Sequence, residues 1–192
     1  MSSTRPPSKD PRGVRTRARL REALLDACEE QPLEQVSASE VVRRAGVGRA
    51  TFYLHYDDLH ALALDACAAP ARDAVEALHT WDTLPPEPGS PPAALLGLLE
   101  SVYGRAGVYR SLLRPGGGGP LGELLHTELM ERSLHERRLR RDGGEADVRI
   151  ACAVAAAFTA LLADWVHDRV PGTPAELAGH IWRLLVALHM TA

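Results

Sequence analysis

The stretch SASEVVRRAGVGRATFYLHYDD, residues 37–58, decides the architecture of this chain. Ser37-Ala38-Ser39-Glu40 has the form of a capping box, in which the Ser37 hydroxyl accepts from the Glu40 N–H and the Glu40 carboxylate reaches back to Ser37. A helix therefore starts there, with Val41, Val42 and Ala45 as its apolar side. Gly46 tolerates the positive φ that ends a helix, and Val47-Gly48 leaves room for only a very short turn. Arg49 to Tyr56 forms the next helix, with Phe52 and Tyr56 spaced i, i+4 to face inward while Thr51, Tyr53 and His55 point elsewhere. Two short helices joined by a tight Gly-containing turn make a helix-turn-helix, whose second helix has the diameter of a DNA major groove.

Outward from this hairpin the chain reads as helix throughout. Upstream, Leu20, Leu24, Ala27 and Cys28 fall at i, i+4, i+7 and i+8, one stripe of a helix that Pro32 stops after Gln31. Residues 1–13, rich in Pro, Ser and charge, offer nothing to bury and read as a flexible basic tail. Downstream, helices alternate with strong breakers at residues 82–92, 114–120, 142–144 and 171–174, the run Gly116 to Gly119 reading as a mobile loop. Pro70 predicts a kink or a split in the segment between Asp57 and His79. Leu121, Leu124, Leu125 and Leu129 make one apolar stripe. Val154, Phe158, Leu161, Leu162 and Trp165 make another, and Leu177, Ile181, Leu184, Leu185 and Leu188 a third. Thr173, with Pro174 in the first turn, caps the last helix. The expected fold is all-α: a helix-turn-helix domain over residues 14–60 and a second helical domain over 61–192.

The net charge of −3 argues by itself against a polyanion partner, but its distribution does not. Residues 1–56 carry ten Arg/Lys against seven acids, net +3, so the remainder carries −6. That asymmetry suits a small polyanion-binding module attached to a body with another task. Cys28, Cys67 and Cys152 lie far apart, without zinc-site spacing, and read as reduced, buried small hydrophobes. We expect no membrane span, because no apolar run reaches the roughly 18–20 residues that one needs, and the N-terminus lacks the apolar core of a signal peptide. The expected location is cytoplasmic.

The string quoted above, with the helix before it, resembles the TetR family of bacterial transcriptional regulators over residues of about 14–66. The family's pattern runs Thr/Ser cap, Ile-Ala, Ala-Gly-Val, Thr-(Leu/Phe)-Tyr-x-His-Phe. The resemblance implies that Val41, Ala45, Val47, Phe52 and Tyr56 hold the hairpin together. Ser39, Arg49, Ala50 and Thr51 occupy places that touch base edges in the family, and Tyr53 and His55 places that touch phosphates. Ser37, Arg43 and Arg44 complete the expected DNA-binding set. Arg49 can pair bidentately with guanine, Thr51 offers a hydroxyl or a methyl, and a phenol or imidazole donor suits a phosphate oxygen. Departures stand at Leu59, Leu54 and Gly48, where relatives often carry Lys, Arg and Ser, and they weaken the expected phosphate grip. The resemblance also implies a ligand-responsive repressor that binds a palindromic operator as a homodimer, with an unknown small-molecule effector and no cofactor. Expected pocket residues are Tyr103, Tyr109, His126, Met130, Phe158 and Trp165, and expected dimer contacts are Phe158, Ile181, Trp182, Arg183 and Leu185.

Two other readings compete. Glu76-x-x-His79 and Glu123-x-x-His126, with Glu100 and Glu128, have the spacing by which four-helix bundles hold two iron ions. That reading leaves the helix-turn-helix unexplained. A helical interaction protein with a solvated basic tail is the other, and no catalytic fingerprint favours an enzyme.

Overall fold

In a computed structural model of the chain, residues 11–79, 87, 89–140 and 145–190 are described, so the first ten residues of the expected tail lie outside them. The described residues form nine α-helices and no strand. In order these are α1 (Pro11–Glu30), α2 (Ala38–Ala45), α3 (Arg49–His55), α4 (Leu59–Ala77), α5 (Ala93–Gly104), α6 (Ala106–Leu112), α7 (Pro120–Arg140), α8 (Glu145–Val166) and α9 (Pro174–Met190). A short 3₁₀ turn, Leu33–Gln35, joins α1 to α2. The chain divides into two compact units, Met1–Ala66 and Cys67–Ala192, a boundary inside α4 rather than at residue 60.

Two element boundaries differ from the sequence reading. Helix α1 begins at Pro11, inside the expected tail, since proline lacks an N–H that the first turn would leave unbonded, and Gly13 is already buried. Helix α4 runs through Pro70 without a break. Proline removes a single i→i−4 hydrogen bond, and a helix built largely of Ala and Leu, with Cys67, Ala68, Ala71, Ala74 and Val75 buried, tolerates that loss.

In the second unit α7 and α8 pack along one another, and α9 lies on α5 and α8. Leu95, Leu99, Tyr109, Leu125, Phe158 and Leu162 are buried between them. The glycine run is no mobile loop. Arg114 and Gly118 form a bridge, and Gly116, Gly117 and Gly119 take positive φ. A Cβ on Gly117 would stand 2.9 Å from Thr159 Oγ1, and one on Gly119 would stand 2.6 Å from the Leu112 carbonyl. The glycines are there for close approach. Asp164 accepts from the Gly116 N–H at 3.1 Å and His167 Nε2 donates to the Leu113 carbonyl at 2.8 Å. These two polar residues staple the loop to the C-terminal end of α8.

Further expectations are corrected by burial. Cys28 is half-buried and Cys67 buried, but Cys152 is exposed on α8. Burial, with Glu34 and Glu40 adding to it, pushes the Cys28 thiol up to about 11, which keeps it protonated and inert. Asp147–Val166 is long and apolar enough to cross a membrane by length and composition, contrary to the sequence reading. Within the unit, its Ala151, Ala155, Phe158 and Leu162 serve as core.

Candidate nucleic-acid interface

Local chemistry builds the hairpin. The Ser37 hydroxyl accepts from the Glu40 N–H at 3.2 Å, which is the first half of the expected capping box. The second half is not made, because the Glu40 carboxylate accepts from Gln31 Nε2 and from Arg44, each at 2.9 Å. Two charge-assisted or amide donors outcompete one backbone N–H. Gly46 closes α2 in the left-handed region at φ 61 and ψ 39, and its N–H returns to the Arg43 carbonyl at 3.2 Å. A Cβ there would lie 2.7 Å from Arg19 Nη2, so α1 also closes over this turn. Gly48 caps α3 without a side-chain hydrogen bond.

Packing orients α3. Phe52 is completely buried, with Tyr53 edge-on at 5.1 Å and Tyr56 at 6.0 Å between ring centres. Val41, Val42 and Ala45 of α2 and Leu20, Leu24 and Ala27 of α1 are buried as well. The Tyr56 hydroxyl donates to Asp65, which Arg21 approaches to 3.6 Å, so α1, α3 and the start of α4 share one polar tie. Burial, then the hydrogen bond to Asp65, pushes the Tyr56 phenol well above its ordinary value.

With Phe52 fixed inward, helical geometry turns Arg49, Ala50, Tyr53 and Leu54 outward as two i, i+4 pairs, and all four are exposed. Thr51 and His55, also spaced i, i+4, flank them half-buried, and Ser37, Ser39 and Arg43 are exposed. Leu54 is absent from the contacts read from the sequence, yet it is the most exposed large hydrophobic side chain described, at 71%. Its spacing from Ala50 was the signal. Arg44 differs from its neighbour: it reaches Glu30 at 2.8 Å, which binds α2 to α1, and Glu40 of its own helix at 2.9 Å. Those bonds hold the Glu30 carboxyl below its usual value.

The residues expected in the effector pocket do not converge. Tyr109 and Phe158 are core, 1% and 0% exposed, and burial pushes the Tyr109 phenol up. His126 and Met130 are half-buried on α7. Only Tyr103 and Trp165 meet, stacked at 6.2 Å beside a cavity of about 490 Å³. The expected dimer contacts need a similar correction. Phe158, Ile181, Trp182 and Leu185 are buried inside their own subunit, and Trp182 Nε1 donates to the Glu87 carbonyl at 2.8 Å. Arg183 is exposed, as is Leu184. Of the carboxylates and histidines in the di-iron pattern, Glu76, Glu100 and Glu123 are exposed, Glu128 pairs with Arg72 at 2.7 Å, and His79 donates to the Val75 carbonyl at 2.7 Å. Among the described residues no three such groups gather as metal ligands.

Residues 20–66 match the family described as bacterial regulatory proteins of the tetR family. No curated protein matches the chain. Among solved structures, a TetR transcriptional regulator from Rhodococcus sp. RHA1 is similar over 95% of this chain and 98% of its own, with TM-score 0.59 and 14% identity. The fatty acid degradation regulator FadR from Bacillus halodurans is similar over 93% and 96%, with TM-score 0.57 and 15% identity. The TetR family repressor AlkX from Dietzia sp., implicated in biodegradation of n-alkanes, is similar over 95% and 97%, with TM-score 0.56 and 18% identity. These likenesses establish the fold across both units. With that fold, and with the tetR-family model matching over residues 20–66, this chain carries a helix-turn-helix domain of the TetR type.

Proposed function

We propose that the chain is a cytoplasmic, ligand-responsive repressor that binds a palindromic operator as a homodimer. The observation that carries the reading is the outward face of α3, where Arg49, Ala50, Tyr53 and Leu54 stand clear of the core while Phe52 anchors the helix. Arg49 reads a guanine edge, Thr51 and Leu54 supply methyl groups suited to thymine, and Tyr53 and His55 donate to phosphates. Ser39 lies beside the base edges, and Ser37 and Arg43 add backbone contacts. Arg44 acts through the fold, since its guanidinium is already occupied by Glu30 and Glu40. The repressor sense rests on the similarity to AlkX, a repressor.

Dimerisation follows from reading economy: one seven-residue helix covers too few base pairs to select a site, and helix-turn-helix proteins answer with two-fold pairing. Leu161 of α8 and Leu177, His180 and Leu184 of α9 line an apolar groove of about 740 Å³, and Val148 is 44% exposed further along α8. A second copy covers this groove in the proposed assembly, with Leu184 in place of the buried Trp182.

The test is selection of bound sequences from a random duplex pool, with sedimentation alongside. A palindromic site and a dimer are expected. Arg49→Ala weakens specific binding by about 1–3 kcal/mol and relaxes one base position. Arg43→Ala lowers affinity for all sequences alike, and Leu184→Glu yields monomer. A wild-type monomer that binds a non-palindromic site as tightly overturns the dimer. Absence of any selected sequence overturns the whole reading.

A further inference from the structure

We infer that the cleft where α5 and α8 end and α6 begins is a binding site for a small, uncharged, planar aromatic molecule, which stacks on the Tyr103 ring. The inference names the effector class and so rests on the regulator reading above. Leu99, Tyr109, Leu125 and Phe158 are core residues with no more than 1% exposure. The cavity of about 490 Å³ opens beside that core, within the size range of small-molecule sites.

Its aromatic wall is preformed. Trp165 Nε1 donates to the Gly172 carbonyl at 2.8 Å, which fixes the indole, and Tyr103 lies nearly parallel to it at 27°. The Tyr103 side chain is nevertheless 68% exposed. An isolated exposed aromatic needs no explanation, but this one walls a concave site otherwise lined by Val102, Ala106, Val166, Val170 and Pro171. A planar ring placed on it extends an existing stack, the arrangement aromatic pairs favour.

The charge pattern selects an uncharged ligand. The charged groups lining the cleft are Arg110 and Asp168, and they pair with one another. Arg110 also donates through Nε to the Val166 carbonyl. Asp168 is held at φ 59, with its N–H donating to the Trp165 carbonyl at 3.0 Å. A ligand carrying net charge would leave water here without gaining a free counter-charge.

The experiment titrates the purified full chain with the neutral fluorophore phenylnaphthylamine and with its anionic relative anilinonaphthalenesulfonate. Saturable binding of the neutral probe, with energy transfer that Trp165→Phe reduces, is expected, along with weaker binding of the anion. Tyr103→Ala weakens the neutral probe by about tenfold, and Ala106→Phe, which fills the cleft, removes its binding; circular dichroism checks that both variants fold. No binding, binding that both variants leave unchanged, or preference for the anion overturns the site. The readout involves no DNA, so a chain that selects a duplex but binds no probe loses only this cleft. A chain that binds the probe at Tyr103 but selects no duplex loses only the regulator reading.

Discussion

The two units of this molecule bury their apolar residues by different means. In Met1–Ala66 the helices that form the hairpin are short, and caps, one left-handed glycine and a single buried ring fix each side chain's direction. In Cys67–Ala192 the helices α8 and α9 are long, Ala- and Leu-rich and apolar around much of their circumference, so the neighbours decide which stripe is inside. The lesson is that function is read on the first unit from the residues left out of its core. On the second it is read from the few places where the core stops, the Tyr103 cleft and the groove at Leu184.

The largest expected effect breaks the first unit at its anchor. Phe52→Ala empties a fully buried site and costs about 3–5 kcal/mol, abolishing DNA binding through loss of the fold, whereas Tyr53→Phe leaves stability unchanged and weakens binding to every duplex alike. Thermal unfolding with gel shifts separates the two. Equal destabilisation by both would erase the division between anchor and reading face.

An intermediate effect tests whether backbone approach orders the second unit as caps order the first. A Cβ on Gly122 would overlap the Gly117 carbonyl oxygen, so Gly122→Ala forces the glycine turn off α7 and costs about 1–3 kcal/mol. Gly97→Ala, with open space around it in α5, stabilises slightly. A denaturation midpoint unmoved by Gly122→Ala would return the loop to the mobile state read from its sequence.

The smallest effect is a pH dependence confined to the second unit. Burial holds His79 below its ordinary 6.5, and the nearby Arg132 adds to the depression against the hydrogen bond to Val75. As pH falls past 6.5, the unfolded chain takes up a proton that the folded chain refuses, so the His79 contribution is constant above that value and turns against folding below it. His79→Gln flattens the acid side of the stability profile while the alkaline side keeps its slope. A profile unchanged on the acid side would show that His79 is solvated when folded.

The hairpin was legible because its signals are local. Ser37, Gly46 and Phe52 act within one turn of themselves, so spacing alone placed α2 and α3 and turned Arg49 and Tyr53 outward. Arg44 was not separable from Arg43, since its partner Glu30 lies on another helix, fourteen positions away. Gly117 and Gly119 misled for a related reason. Glycine marks both freedom and tight packing, and only Thr159 and Leu112, brought up by the fold, tell which applies.

Sequence by itself determined the all-helical class and the helix-turn-helix, because caps, turns and i, i+4 spacing are short-range consequences of backbone geometry. Tertiary structure alone decided that Trp182 belongs to its own core and Leu184 to the surface, and that Tyr103 and Trp165 meet while Tyr109 and Phe158 do not join them. On helices whose apolar stripes exceed what one neighbour can cover, the hydrophobic effect rewards any burial equally, and only the assembled packing selects which residues remain exposed.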